Sequence, residues 1–346
     1  MNRDVRSGKR AFICNAASLL LATAFPTTAR EPENMSVCVY ADATLALYGF
    51  PEGHPFGADR QDAFLVEAKL QGLLEQVQLE RGRAATRDAL ERFHQPEYVE
   101  IVRTAESTGI NYLDAGDTPV FPDVFKTSSY VVGTALKGLE DVMNGDCVRT
   151  FQPIGGLHHA GRDHAAGFCV FNDLGVVIET LRSRYGIKRI AYVDIDVHFG
   201  DGVFYAFESD PDLIIADIHQ DPRTFYPGTG FAHETGSGQA AGTKLNIPMP
   251  YGSGDGEFRE VWPQVERHLE KFAPEFFVFQ CGADGLDGDP LAGLRYTKQT
   301  HALATKRLCE MADRHAGGRM MCFGGGGYDR SNLGKAWSAV LTELLN

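Results

Sequence analysis

The stretch from Arg189 to Gly202 limits what this chain can fold into more than any other part of it. It begins as an apolar, β-branched run closed by a glycine cluster, the pattern of a strand buried in a parallel sheet. Side chains two apart on a strand share a face. Asp194, Asp196 and His198 therefore point one way, and Val193, Ile195 and Val197 the other. Three adjacent ionisable groups on one buried face are costly unless something neutralises them. A metal ion does so, and a set of carboxylates with an imidazole suits zinc. The plainer alternative is a strand end where one Asp caps the next helix and the rest meet water.

Around this run the chain alternates strands and helices. A first strand is read at Ser36–Tyr40, followed by a turn-rich loop from Tyr48 to Pro55. Residues 62–80 carry Phe64, Leu65, Ala68, Leu73, Leu74 and Val77 at helical spacing. A helix opens at Pro96, a good first-turn residue, and buries Tyr98, Ile101 and Val102. A polar loop, Asn111–Phe121, precedes a helix from Thr127 to Asn144 that stops at Gly145. Arg149–Ile154 reads as a strand, Gly155–Gly167 as a Gly/His loop, and Asn172–Tyr185 as a helix ended by Gly186. After the opening strand come a short helix beyond Gly202, a strand at Leu213–Ile218, and a loop at His219–Ala241. Loops of that length are functional or disordered. Lys244–Met249, Phe276–Cys281 and Met320–Phe323 read as strands, and Asp255–Lys271, Thr297–His315 and Ser331–Leu345 as helices. The expected fold is α/β, a single doubly wound, mainly parallel sheet flanked by helices. No linker or repeat interrupts residues 36–346, and no apolar run reaches membrane-spanning length.

A chain of 346 residues with 43% hydrophobic content can bury a large core. Its net charge of −13 argues against unspecific nucleic-acid binding and suits a cationic substrate, although solubility alone accounts for it too. The seven cysteines form no CxxC pair. Cys169, Cys281, Cys309 and Cys322 fall in or beside apolar segments, the usage of a reducing compartment. Arg3, Arg6, Lys9 and Arg10 precede an apolar run from Ala11 to Phe25, and Ala29 offers a small-residue cleavage position. Asn15 interrupts that run, and Met35 stands directly before the first strand. Residues 1–34 are read as an over-extended start or a disordered arm on a cytoplasmic protein. Export, with residues 1–29 as a signal peptide, is the alternative.

Open α/β sheets bind ligands at the carboxyl ends of their strands. Five strands here deliver polar or aromatic groups to that edge: His158-His159, Asp196-Val197-His198, His219 with Phe225–Gly230, Gly282-Ala283-Asp284, and Gly324–Tyr328. Asp196, His198 and Asp284 can make a three-ligand zinc site with a fourth position for water. The adjacent histidines, alone, would fit a structural metal site or the surface. Beside zinc they supply a general base and acid. The four-glycine run lets backbone approach closely and sets Tyr328 on a tight turn. It lacks the Lys-Ser/Thr of a phosphate-binding loop.

Six of these stretches, in order over residues 36–346, resemble the histone deacetylase superfamily, particularly its bacterial acetoin-utilisation-type members. They are Gly156–Ala160, Gly167–Asp173, Val193–Gly202, Phe225–Gly230, Gly282–Asp284 and Gly324–Tyr328. The resemblance implies a zinc-dependent amidohydrolase that removes acyl groups from amines, with Asp196, His198 and Asp284 holding zinc. It makes His159 the principal base and acid and His158 its electrostatic partner. Asp194 and Asp201 would orient the two rings, and Tyr328 would donate to the oxyanion. Gly167, Phe168 and Tyr226 would wall a narrow tunnel, with Asp117 as a rim carboxylate and Leu291 as gatekeeper. It also implies an inner K+ or Na+ site at Asp194, Asp196, His198, Asp217 and Ile218, and an outer one at the carbonyls of Phe207, Asp210 and Leu213. The family often has a second His where this chain has Phe199, a change of packing without loss of a ligand. The expected partner is an acyl-lysine protein or peptide, with no nucleic acid or membrane, and homo-oligomerisation is left open. The alternatives are an acetylpolyamine or other small-molecule amidohydrolase, a metal-holding binding protein without turnover, and a binuclear ureohydrolase. The last needs further Asp/His ligands, and one Asp-x-His set is apparent.

Overall fold

The computed structural model describes residues 36–346 except Glu52. The readings for residues 1–34, arm, alternative start or signal peptide, lie outside the described residues. Among the described residues, eight strands form one sheet: β1 (Val37–Tyr40), β2 (Gln78–Glu80), β3 (Arg149–Gln152), β4 (Ile190–Asp194), β5 (Leu213–Gln220), β6 (Lys244–Met249), β7 (Phe276–Gln280) and β8 (Met320–Phe323). Their order is β2-β1-β3-β8-β7-β4-β5-β6, and every neighbouring pair is parallel. The sheet expected to be mainly parallel is wholly so.

Parallel neighbours need long crossovers, which here are chiefly helical. They include α1 (Arg60–Leu70), α2 (Arg87–Leu90), α3 (Pro96–Thr108), α4 (Val124–Asn144), α5 (Asp173–Tyr185), α6 (Asp201–Ala206), α7 (Asp255–Phe272), α8 (Lys298–His315) and α9 (Arg330–Leu345). Strand alternation splits the core into two layers. Ile190 and Tyr192 of β4 pack with Val131 and Leu139 of α4 and Val177 of α5. Ala191 and Val193 pack on the other face with Phe64 of α1, Trp262 of α7, Leu308 of α8 and Trp337 of α9. After β3 the chain skips to β4, winds outward through β5 and β6, and returns through β7 and β8 to fill the gap. The carboxyl ends of β3, β8, β7, β4 and β5 therefore lie side by side at mid-sheet.

Two expectations fail. Ile101, read as buried with Tyr98 and Val102, is 51% exposed because it falls off the buried stripe of α3 made by Tyr98, Val99, Val102 and Ala105. Residues 62–80 are not one helix: α1 ends at Leu70, Gly72 takes a left-handed φ of +67°, and β2 pairs with β1. Leu73, Leu74 and Val77 pack on the α1 core from the intervening turn, so their spacing mimics a helix without making one. β2 is a short, largely exposed edge strand and lacks the buried alternation that marks a strand in sequence. No helix among the described residues is long and apolar enough to cross a membrane.

Candidate active site

β4 ends at Asp194, yet its alternation runs on through the bend that follows. Ile195 and Val197 stay in the core beneath the sheet. Asp196 and His198 meet Asp284 from the end of β7, with one ligand atom from each lying within 4.8 Å of the others. Backbone and side-chain donors fix the carboxylates. Asp196 Oδ1 accepts from His198 N at 3.0 Å, and its Oδ2 from Gln280 Nε2 and Gly326 N, each at 2.8 Å. Asp284 Oδ1 accepts from Val197 N at 3.0 Å. Asp284 Oδ2 is buried and accepts no hydrogen bond, although His198 Nδ1 lies 3.2 Å away. An orphaned carboxylate oxygen facing an imidazole nitrogen fits a metal ligand better than any other role the surroundings offer. The glycines leave it room: a Cβ at Gly326 would lie 2.1 Å from Asp284 Oδ2, and one at Gly282 2.0 Å from Asp196 Oδ2.

The two histidines follow β3, on a loop that Asp173 pins by accepting from Gly156 N and Leu157 N. His158 Nδ1 lies 2.7 Å from Asp194 Oδ2, its Nε2 3.1 Å from His159 Nε2, and His159 Nδ1 2.6 Å from Asp201 Oδ1. Two proton assignments satisfy all three contacts, since either ring can carry both protons while the other accepts at Nε2; in one of them His158 donates from both nitrogens, and His159 donates from Nδ1 and accepts at Nε2. The surroundings select this one. Burial works to lower His158, but the charges of Asp194 and Asp196 outweigh it and lift the ring to about 10. Burial and the neighbouring His158 charge push His159 down to about 4, against the pull of Asp201. Two titratable groups driven apart by their environments mark acid/base roles.

Above the cluster lies a cavity of about 200 Å³ lined by Asp117, His159, Gly167, Phe168, His198, Tyr226, Leu291 and Tyr328. The structure thus gathers the five residues assigned to substrate around the base and a ligand. The Tyr226 ring sits 5.1 Å from His159, and Phe168 5.9 Å from Tyr328, measured between centroids. A Cβ at Gly167 would press on His159 at 2.6 Å. Burial holds the Tyr328 hydroxyl far above its usual range, so it remains a donor. Phe168 is held at a left-handed φ of +69°, its N–H donating to Thr118 Oγ1 and its carbonyl accepting from Tyr48. Asp114 accepts from the N–H groups of Gly116, Asp117 and Thr118, which orders the rim loop.

Sequence reasoning passed over several residues that set this geometry: Tyr48, Arg60, Asp114, Thr118, Asp173, Gln280 and Asp289. Arg60, fully buried, donates to the carbonyls of Gly325 and Gly327, and Asp289 accepts from Tyr328 N at 2.8 Å. A lone Arg at a helix start or a Gln at a strand end carries no spacing signal. At the expected inner cation position, Asp194 and Asp217 are register partners on β4 and β5. Asp217 Oδ1 faces His219 Nδ1 at 2.7 Å, and its Oδ2 accepts from Gly200 N. At the expected outer position, the carbonyls of Asp210 and Leu213 accept from Lys244 Nζ. Phe199 packs against Phe204 and His219, as a packing change requires.

A wholly parallel sheet carrying a carboxylate and imidazole cluster at its carboxyl edge is an α/β fold of the arginase/deacetylase-like architecture. The histone deacetylase domain model matches residues 54–344, and the chain belongs to that family of deacetylases. It is 31% identical to the acetoin utilization protein AcuC of Bacillus subtilis (strain 168), over 89% of this chain and 82% of that protein. It is 32% identical to histone deacetylase RPD3 of Saccharomyces cerevisiae, over 94% and 75% of the two chains. The crystal structure of the HDA15 HD domain superposes with a TM-score of 0.82 at 28% identity, covering 90% of this chain and 88% of that one.

Proposed function

We propose that this deacetylase is a zinc-dependent amidohydrolase that removes acetyl or related short acyl groups from lysine side chains. The observation that carries the reading is the pairing of His159, neutral with an unprotonated Nε2, with the Asp196, His198 and Asp284 cluster at the tunnel floor. Zinc, held by those three residues, would supply polarisation of the acyl carbonyl and of the attacking water. His159 Nε2 takes the proton of that water, and Asp201 steadies the imidazolium that results. Tyr328 donates its hydroxyl to the oxyanion that develops. His159 then returns its proton to the leaving amine. His158, charged throughout, stabilises negative charge from the side and is oriented by Asp194. Phe168, Tyr226 and Gly167 enclose an alkyl stem, and Asp117 at the rim accepts from the substrate backbone. A K+ or Na+ ion at the carbonyls of Asp196, His198 and Ile218, with Asp194 and Asp217, would offset the buried carboxylates. Leu291, 40% exposed at the tunnel mouth, offers only apolar contact and favours a peptide over a second ammonium.

The test measures zinc content and turnover of acetyl-lysine peptides beside acetylated polyamines, for wild type and Asp196→Ala. One zinc per chain, peptide turnover, and loss of both in the variant are expected. Full activity in metal-free Asp196→Ala protein would end the reading.

A further inference from the structure

Lys244, the first residue of β6, is 1% exposed. Its ammonium has no carboxylate within ion-pair distance among the described residues. It donates instead to two carbonyls, Asp210 O at 2.8 Å and Leu213 O. Asp210 lies in the turn that joins α6 to β5 and Leu213 opens β5 at the end of that turn, and both are among the carbonyls where the family likeness places an outer monovalent cation. The nearby charges are Arg182, Asp210 and Glu208. The Asp210 carboxylate is already taken by Arg182. An ammonium and a potassium ion answer the same need of a carbonyl cluster: one positive charge in contact with several oxygens. A second cation at these carbonyls would meet both the ammonium and the Arg182 guanidinium, with Asp210 already paired and Glu208 alone among the nearby charges left to offset it.

We propose that the Lys244 ammonium permanently occupies the outer cation position, so that this chain takes no exchangeable K+ or Na+ there. The turn between α6 and β5 is then held by a cation tethered to β6, and its stability does not follow the salt composition of the medium. The turn matters to the site, since α6 begins at Asp201 and β5 carries Asp217 and His219. The inference uses the family likeness but neither the zinc nor the substrate assignment, and its test reads neither.

The experiment is anomalous diffraction from crystals of the full chain soaked in Rb+, with melting temperatures measured across a K+ titration against a choline control. Wild type is expected to show no Rb+ peak at the Asp210 and Leu213 carbonyls. Lys244→Met removes the charge, keeps much of the stem and leaves both carbonyls orphaned. It should melt lower, gain a Rb+ peak between those carbonyls, and recover melting temperature with K+ that choline does not restore. A Rb+ peak there in wild type, with the lysine displaced, would overturn the proposal. So would a folded Lys244→Met that binds no Rb+ at the turn and is indifferent to K+. Should Lys244→Met not fold, the wild-type density at the two carbonyls decides alone.

Discussion

One methyl group placed at Gly326 would touch two of the ligand carboxylates, which makes that glycine a test of the metal reading without removing any ligand. A Cβ there would lie 2.1 Å from Asp284 Oδ2 and 2.9 Å from Asp196 Oδ2. Gly326→Ala should therefore lose zinc, measured by elemental analysis, and turnover with it, while its circular dichroism stays that of wild type. Normal zinc content in that variant would mean the ion sits elsewhere. Tyr328→Phe separates binding from chemistry. Deleting one oxyanion donor costs about 10²–10³ in rate, so turnover should fall by that factor with zinc unchanged. Equal turnover in the two proteins would remove Tyr328 from the mechanism. Leu291→Glu addresses substrate choice. A carboxylate at the mouth could pair with the second ammonium of a polyamine, a charged contact worth about 1.5–3 kcal/mol. The ratio of acetylspermidine to acetyl-lysine peptide turnover should rise accordingly. If wild type already prefers acetylspermidine and the variant leaves the ratio unmoved, the small-molecule reading takes over.

At the scale of elements, what holds the histidine loop is the start of α5. Asn172 caps the helix by accepting from Gly175 N at 2.8 Å, and its amide donates to Ala160 O at 2.8 Å, the residue directly after the His pair. Asn172→Ala loses a cap, about 1 kcal/mol, and orphans a buried carbonyl, about 1–3 kcal/mol more. A denaturant midpoint equal to wild type would refute that account. Asn172→Asp should keep the cap and still lose turnover, because it presents an acceptor to the Ala160 carbonyl. The elements that sequence revealed best are those whose period is enforced by burial on both faces. β4 and β7 read as strands because every residue in them is buried. α5, α7 and α8 were read to within a residue or so because Gly186, Asp255 and Thr297 punctuate them. β2 was lost because an exposed edge strand of three residues needs no apolar alternation, and α2 because four residues carry no period. At the site, His158, His159, Asp196, His198, Asp284 and Tyr328 were legible as chemistry delivered to one sheet edge. Arg60, Gln280 and Asp173 were not, since each acts on backbone or on another side chain that only the folded chain brings near.

For the molecule as a whole, acid is the condition that should expose its internal accounting of protons. His94 is 1% exposed, and its Nε2 accepts from Asn172 N at 2.9 Å, a bond that a protonated ring could not accept. Burial drives it down to about 3. In the unfolded chain the same ring titrates near its ordinary value of about 6.5. Below that value the unfolded state takes up a proton that the folded state refuses, so stability falls as pH falls, by about 1.4 kcal/mol per pH unit for this residue. The loss continues until the folded ring itself titrates. Other buried groups shift the total: His301 is lowered to about 4 by burial and adds to the same slope. Asp194 and Asp284, raised to about 7 by burial in the metal-free chain, oppose it. The clean quantity is therefore a difference. His94→Gln keeps an acceptor for Asn172 and removes the titrating ring. It should be less stable than wild type near neutrality, where the His94 packing is lost at no gain. Between about pH 6 and about pH 4.5 its unfolding free energy should rise relative to wild type by about 1.4 kcal/mol per unit. Guanidinium melts of both proteins at four or five pH values give that difference directly, and parallel curves would show that His94 is not the proton acceptor of the unfolding chain.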